Sequence, residues 1–287
     1  MKSIIKTDFS RAFINWKFPL AILLMFLVWD LNSKRFGLRE DVLFYFINVW
    51  GRSITYLMAI LISTIPFLSA HIEEKENHFL RYAILRTGVW KYVCSKLIVC
   101  FISAFSVCVL GTVLFLIKQS FYVPFLAENS VTLDNFAPMS CFRVLMISHI
   151  KLAVTIQTIL YGMLCGSMGV LTMAFSAYIN NSFEIYVIPF LLYYCFYFLF
   201  AGFFKYCPML SIEHIYEAIG CYTKNPVLFF SYAFFITICF GIVGGRLMYR
   251  KMKGEFQWRW YCIVWKYVYI RSVLCLKITK YIQSPYV

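Results

Sequence analysis

The sequence predicts an all-α integral membrane protein with six transmembrane helices. Three observations predict it. Only 14% of the 287 residues are charged, against about 25% in a soluble domain. A further 62% are hydrophobic, aromatics included, and they gather in runs near the ~20-residue length that crosses a bilayer. The ~10-residue alternating segments of an outer-membrane barrel are not evident. Helices, which satisfy their own backbone hydrogen bonds, are therefore the expected spanning element.

The elements follow in order. Ile5, Phe9, Ala12, Phe13 and Trp16 recur at helical spacing, with Lys6, Asp8, Arg11 and Lys17 between them. That pattern predicts an amphipathic helix lying in the membrane interface. Span one is expected at 18–31. Its run ends in Asp30 without a small-residue cleavage site, so the span is expected to be retained. "VLFYFINVW" (42–50) is too short to cross and reads as an interfacial helix. Span two is expected at 53–72, kinked at Pro66, and span three at 97–117. After a longer loop come span four (151–179) and span five (185–204). Ser211 reads as the cap of a short outer helix, "IEHIYEAIG", with Glu213 in its first turn and Gly220 near its end. Span six is expected at 227–249. The basic, aromatic tail at 251–287 reads as an interfacial anchor, because a seventh span would bury charges at about 2.5–3.5 kcal/mol each.

Charge sets the orientation. The formal net charge is +14, and the bases flank the spans, as lipid headgroups and topology require; nucleic acid is not an expected partner. Six spans put both termini on one side. With Arg246 counted in the tail, that side carries twice the Lys and Arg of the other, which makes it cytoplasmic. The eleven cysteines include no CxxC pair. Most, such as Cys100, Cys108, Cys165, Cys195 and Cys239, lie in apolar runs and act as small hydrophobes. Cys207 and Cys221 share one outer loop; a disulfide between them is the less favoured reading.

Between spans two and three lies "EEKENHFLRYAILRTGVWKYVCSKL" (73–97). Glu73, Glu74 and Glu76 come first, where a helix dipole favours anions. Arg81 and Arg86 come later, and Gly88 is a stop signal. At helical spacing Phe79, Leu80, Ala83 and Ile84 share a face that can rest on the membrane helices, while Arg81, Leu85 and Arg86 project elsewhere. This acidic cluster, the aromatic-Leu-Arg-Tyr run and "RTGVWKYVCSKL" resemble the permease subunits of type-2 ABC exporters. The resemblance covers most of residues 1–250 and rests on topology plus one loop. The tail departs from it.

The resemblance implies a permease domain at 1–250 in the cytoplasmic membrane of a bacterium. It implies a separate ABC ATPase subunit docking on a coupling region of Glu73, Glu74, Glu76, Phe79, Arg81, Tyr82 and Arg86. It further implies a homodimer, or a heterodimer with a second permease. A pathway along the dimer seam would be lined by Thr55, Tyr56, Ser63, Thr64, Tyr193, Tyr194 and Tyr197, and would suit an amphipathic or hydrophobic cargo such as a peptide, drug or lipid. The other reading of those residues is lipid-facing aromatics and hydroxyls bonded back to their own helix.

Other motifs bound the chemistry. No GxxxxGK[ST] loop, GxGxxG or GxSxG is present, so no catalytic residue and no cofactor is expected, and ATP would be handled by another chain. His71, Glu74 and His78 fall on one helical face, but no fourth ligand joins them; a charged interfacial helix is favoured over a metal site. Span interiors hold almost no acids, which argues against ion-coupled transport. "GMLCG" (162–166) and "GIVGG" (241–245) predict close helix packing. Two rival functions remain: a membrane protein that protects its host by binding a peptide toxin without transport, and an assembly factor for a larger complex.

Overall fold

The computed structural model describes residues 2–37, 41–51, 53–127, 131–179, 181–202, 211–219 and 225–282, with side chains of the last helix described as far as Gly254. Among these residues all regular structure is helical, apart from one isolated bridge pair, Ser140 with Ile219. α1 (Lys2–Phe13) bends by 48° into α2 (Lys17–Lys34). α3 (Val42–Trp50) meets α4 (Ser53–Thr64) at 84°. α5 (Ala70–Glu76) and α6 (Phe79–Thr87) form a hairpin that leads into α7 (Val89–Ser120). Short helices α8 (Val131–Phe136) and α9 (Arg143–Ser148) precede α10 (Ile150–Phe175). α11 (Ile188–Gly202), α12 (Ile212–Tyr216) and α13 (Pro226–Ile282) complete the chain.

Among the described residues three helices are long and apolar enough to cross a membrane: α7, α10 and the Pro226–Gly254 part of α13. Counting each bent pair, α1–α2 and α3–α4, as one span brings the number to five. The apolar helix over Glu184–Leu199, in the region expected for span five, is shorter.

Side-chain contacts give the helix directions. α1–α2 runs parallel to α7, with Asp8 beside Lys96, Trp29 beside Thr112 and Asp30 beside Lys118. α10 runs antiparallel to α7. Gly162 and Gly166 receive the rings of Phe105 and Phe101, and a Cβ at either glycine would come within 2.8 Å of them. The "GMLCG" motif therefore packs within the chain, whereas Gly241 of the second motif faces open space. α4 runs parallel to α10, with Tyr56 on Tyr161 and Thr64 against Gly169. α13 lies antiparallel to α7, with Gly245 on Leu97 and Trp90 on Tyr249.

As a result, the loops that the charge count sorted into two sets gather at opposite ends. At one end α1 meets α7, Ser182 meets Glu76, and Lys251 lies over the Tyr178 ring. At the other, Val42 bonds Pro124, Thr132 bonds Asp41 and Cys141 bonds Ala218.

Four elements differ from the sequence expectation. α3 packs into the bundle rather than only resting on lipid: seven of its nine residues are buried, and Trp50 stacks on Tyr161 at 3.7 Å. Its apolar residues cover all sides of the helix, and of them only Phe44 is left partly uncovered. The expected span two ends at Thr64; Pro66 breaks it into a turn rather than kinking it, since proline cannot donate to the helical ladder. α1 packs on α7 through Ala12 and Asp8 instead of only resting on lipid. The outer helix is just five residues long. Beyond it, Gln157 donates to the Tyr216 carbonyl and accepts from the Ala218 N–H, pulling the segment into the bundle. The tail continues α13 as helix to Ile282. Cys207 and Cys221 lie outside the described residues; Cys94, Cys100, Cys108, Cys141, Cys165, Cys195 and Cys239 are free thiols.

Candidate functional site: an ion cluster beneath a two-helix hairpin

The hairpin's first helix, α5, is anchored by a buried charge cluster. Lys96, near the start of α7, is fully buried. Its ammonium donates to Asp8 Oδ1 at 2.8 Å and to Glu74 Oε1 at 2.7 Å. Arg11 pairs with the same Glu74 oxygen. Ser95 donates to Asp8 Oδ2 at 2.6 Å, and the Tyr92 hydroxyl donates to Glu74 Oε2 at 2.6 Å. Two carboxylates thus face two cations, and each carboxylate oxygen has a donor. That is the condition under which buried charge is tolerated. The ammonium also lies 5.3 Å from the ring centres of Phe67 and Tyr92, a further favourable contact for a cation.

Protonation follows from the network. Burial pushes the Glu74 carboxyl up, but the Lys96 charge and the Lys96, Tyr92 and Arg11 contacts outweigh it, and its pKa is lowered. His71 Nδ1 lies 3.0 Å from the Tyr92 oxygen. Since the Tyr92 O–H donates to Glu74, His71 must donate to the Tyr92 oxygen, which assigns the neutral Nδ1–H tautomer. Burial first, then the Lys96 charge, lowers the His71 pKa to about 4. Beside the cluster, Glu73 accepts from Ser69 at 2.6 Å and from Lys17 at 3.2 Å. Burial raises its pKa, but the Ser69 bond and the Lys17 charge outweigh that, and the net shift is down.

The expected coupling residues divide accordingly. Glu73, Glu74 and Glu76 are in α5, not at the N-terminus of α6, whose first turn holds no acid. Glu74 is buried and turned inward, whereas Glu76 is exposed and accepts from Ser182. A turn at Asn77–His78 separates the helices, with His78 left-handed at φ 57°. That break takes His78 off the face of His71 and Glu74, and no group of three metal-ligating side chains exists among the described residues. On α6, Ile84 is buried and Leu80 and Ala83 are partly covered, as expected; Phe79 is exposed instead of packed. Phe79, Arg81, Tyr82, Leu85 and Arg86 together form an uncovered apolar and basic face. The cluster is a rigid footing under an exposed helix.

The expected pathway residues also divide. Thr55, Tyr56, Ser63, Thr64 and Tyr193 are buried within the chain, and Tyr194 and Tyr197 are exposed on α11. Ser63 and Thr64 donate to the Ile60 and Leu61 carbonyls of their own helix, while the buried Thr55 hydroxyl has no partner among the described residues.

Sequence reasoning missed Asp8, Arg11, Tyr92 and Lys96 as one site. A signal for Asp8 was present: it falls three residues after Ile5 and four before Ala12, on the apolar stripe of α1. A charge there asks for a buried partner of opposite sign. Comparison with family models, curated proteins and solved structures finds no match to this chain.

Proposed function

We propose that the chain is the membrane-spanning permease subunit of an ATP-driven exporter, with six spans and both termini in the cytoplasm. α6 is the face on which a separate ABC ATPase docks. The observation that carries this reading is the hairpin: its outer face is uncovered, and its inner side is tied to α1 and α7 through Glu74. A push on α6 would reach the two membrane helices through ion pairs rather than through a loose loop. Two elements sharing one rigid contact is what a transmitted conformational change requires. In this reading Glu74 anchors the hairpin, and Phe79, Arg81, Tyr82, Leu85 and Arg86 touch the partner. The cargo is amphipathic or hydrophobic, and two permease chains associate. The clustering of the base-rich loops at one end supports the orientation.

The test is co-expression with an ABC ATPase encoded beside this chain, purified through a tag on the ATPase. The permease should follow, and Arg81→Glu/Arg86→Glu should release it while the melting temperature holds. A well-folded chain that never follows the ATPase would defeat the proposal and favour toxin binding without transport.

A further inference from the structure

A cavity of about 310 Å3 opens between the α1–α2 bend and the turn at residues 65–69, at the small end of the range for ligand sites. Arg11, Lys17 and Glu73 line it, with Ser10, Asn15 and Ser69 between them. Each charged group has spare capacity toward the opening. Arg11 commits Nη1 to Glu74, leaving its other donors. Lys17 makes one long bond to Ser69 at 3.4 Å and one to Glu73 at 3.2 Å. Glu73 uses only Oε1; its Oε2 accepts no hydrogen bond from the described residues.

The surroundings place this cavity at a particular depth. Ile14 and Trp16, at the bend, are strongly exposed, and Trp is the residue that marks the membrane–water interface. From Lys17 onward, Leu20, Leu23, Leu27 and Leu31 are all exposed along one face of α2. Three- and four-residue steps make that an apolar stripe about 16 Å long, starting from the Lys17 face. The cavity thus sits at headgroup level, at the head of a lane suited to an acyl chain.

We propose that this cavity binds the headgroup of a zwitterionic, primary-amine phospholipid. The phosphate sits between Arg11 and Lys17, the ammonium on Glu73 Oε2, and an acyl chain along the leucine stripe of α2. The sign balance selects this class. The three carboxyl groups of Asp8, Glu73 and Glu74 formally balance the three bases Arg11, Lys17 and Lys96, and a zwitterion keeps that balance, whereas an anionic headgroup adds an unmatched charge beside Glu73. A trimethylated amine keeps the charge but cannot donate to Oε2. The inference needs only that the chain resides in a membrane; it does not depend on an ATPase partner.

The test is native mass spectrometry of the full chain in mild detergent, titrated with dioleoyl phosphatidylethanolamine, phosphatidylcholine or phosphatidylglycerol. The ethanolamine lipid should bind about tenfold tighter than the choline lipid, the scale of one charge-assisted hydrogen bond. Glu73→Gln should remove that preference without abolishing lipid binding, and Ser10→Trp, at an exposed position, should fill the cavity and lower binding of all three. Inorganic phosphate should not displace the lipid. Equal binding of the three lipids, a preference that survives Glu73→Gln, retention unaffected by Ser10→Trp, or displacement by inorganic phosphate would each overturn the assignment. Unchanged melting of both variants separates these results from misfolding.

Discussion

The paired helices α1–α2 and α7 carry an aspartate–lysine pair at each end, and the two pairs are built differently. At the hairpin end, Lys96 is 1% exposed and has two carboxylate partners. At the far end, Lys118 is 32% exposed, pairs with Asp30, and borders an open cavity of about 530 Å3 that Lys34 also lines. Lys34, itself exposed, approaches Asp30 at 3.5 Å. The far end is a pair that water reaches through Lys118. At the hairpin end Lys96 and both its carboxylate partners are buried and only Arg11 reaches water, and it is also where a third element, α5, is attached. The difference is one of what each lysine holds: Lys118 aligns two helices, and Lys96 joins three.

The sharpest way to break this contrast is Lys96→Met. It strands Asp8 in the interior, leaves Glu74 with Arg11 as its one cation, and should cost about 3–5 kcal/mol, read as a lower thermal midpoint in detergent. Adding Asp8→Asn and Glu74→Gln should restore much of the loss, because the uncompensated charges are gone. A triple variant no more stable than Lys96→Met alone would show that packing, not charge, holds α5.

Acid should act on the hairpin end next. Unfolded, His71 titrates near 6.5; folded, it holds its proton only near pH 4. The unfolded chain therefore binds the extra proton first as pH falls. Stability should be level above about 6.5 and decline toward 4, by roughly 3 kcal/mol. Glu74, with its lowered pKa, loses its contribution at still lower pH as it protonates. Denaturant midpoints across pH 4–7.5 for wild type and His71→Gln should differ in slope, with the variant flatter. Equal slopes would remove His71 from the account.

Between the ends, Trp29 Nε1 donates to the Thr112 hydroxyl at 3.2 Å with both groups buried. Trp29→Phe should cost about 1–2 kcal/mol in the same melting assay. The smallest effect belongs to the far end: Asp30→Asn should cost about 1 kcal/mol or less, and less again in high salt, since the Lys118 partner is partly exposed and an amide still accepts from it. A loss as large as that of Lys96→Met would erase the contrast between the two ends.

Much of this was legible in the sequence, for identifiable reasons. The apolar runs of α7, α10 and α13 are long, and length against bilayer thickness is a local property. The clustering of base-rich loops at one end follows once alternate helices reverse direction. The tight spacing of Gly162 and Gly166 announced close packing, though not that Phe105 and Phe101 would fill it. α3 misled because an all-round apolar helix of nine residues reads alike whether it meets lipid or protein. The hairpin misled because acids before a helix and acids within a shorter one look the same until His78 turns left-handed.

By itself the sequence determined an all-helical, membrane-compatible chain with its bases at the ends of its apolar runs. Those properties depend on composition and on spacing within one segment. Only the tertiary structure decided which charges meet. Asp8, Glu74 and Lys96 come from three elements, separated by 22 to 88 residues, and no local pattern encodes their contact. It exists because α1 runs parallel to α7 while α4 runs the other way and delivers α5 to the same end. There the cost of burying each charge is offset by the others and by the donors of Ser95 and Tyr92.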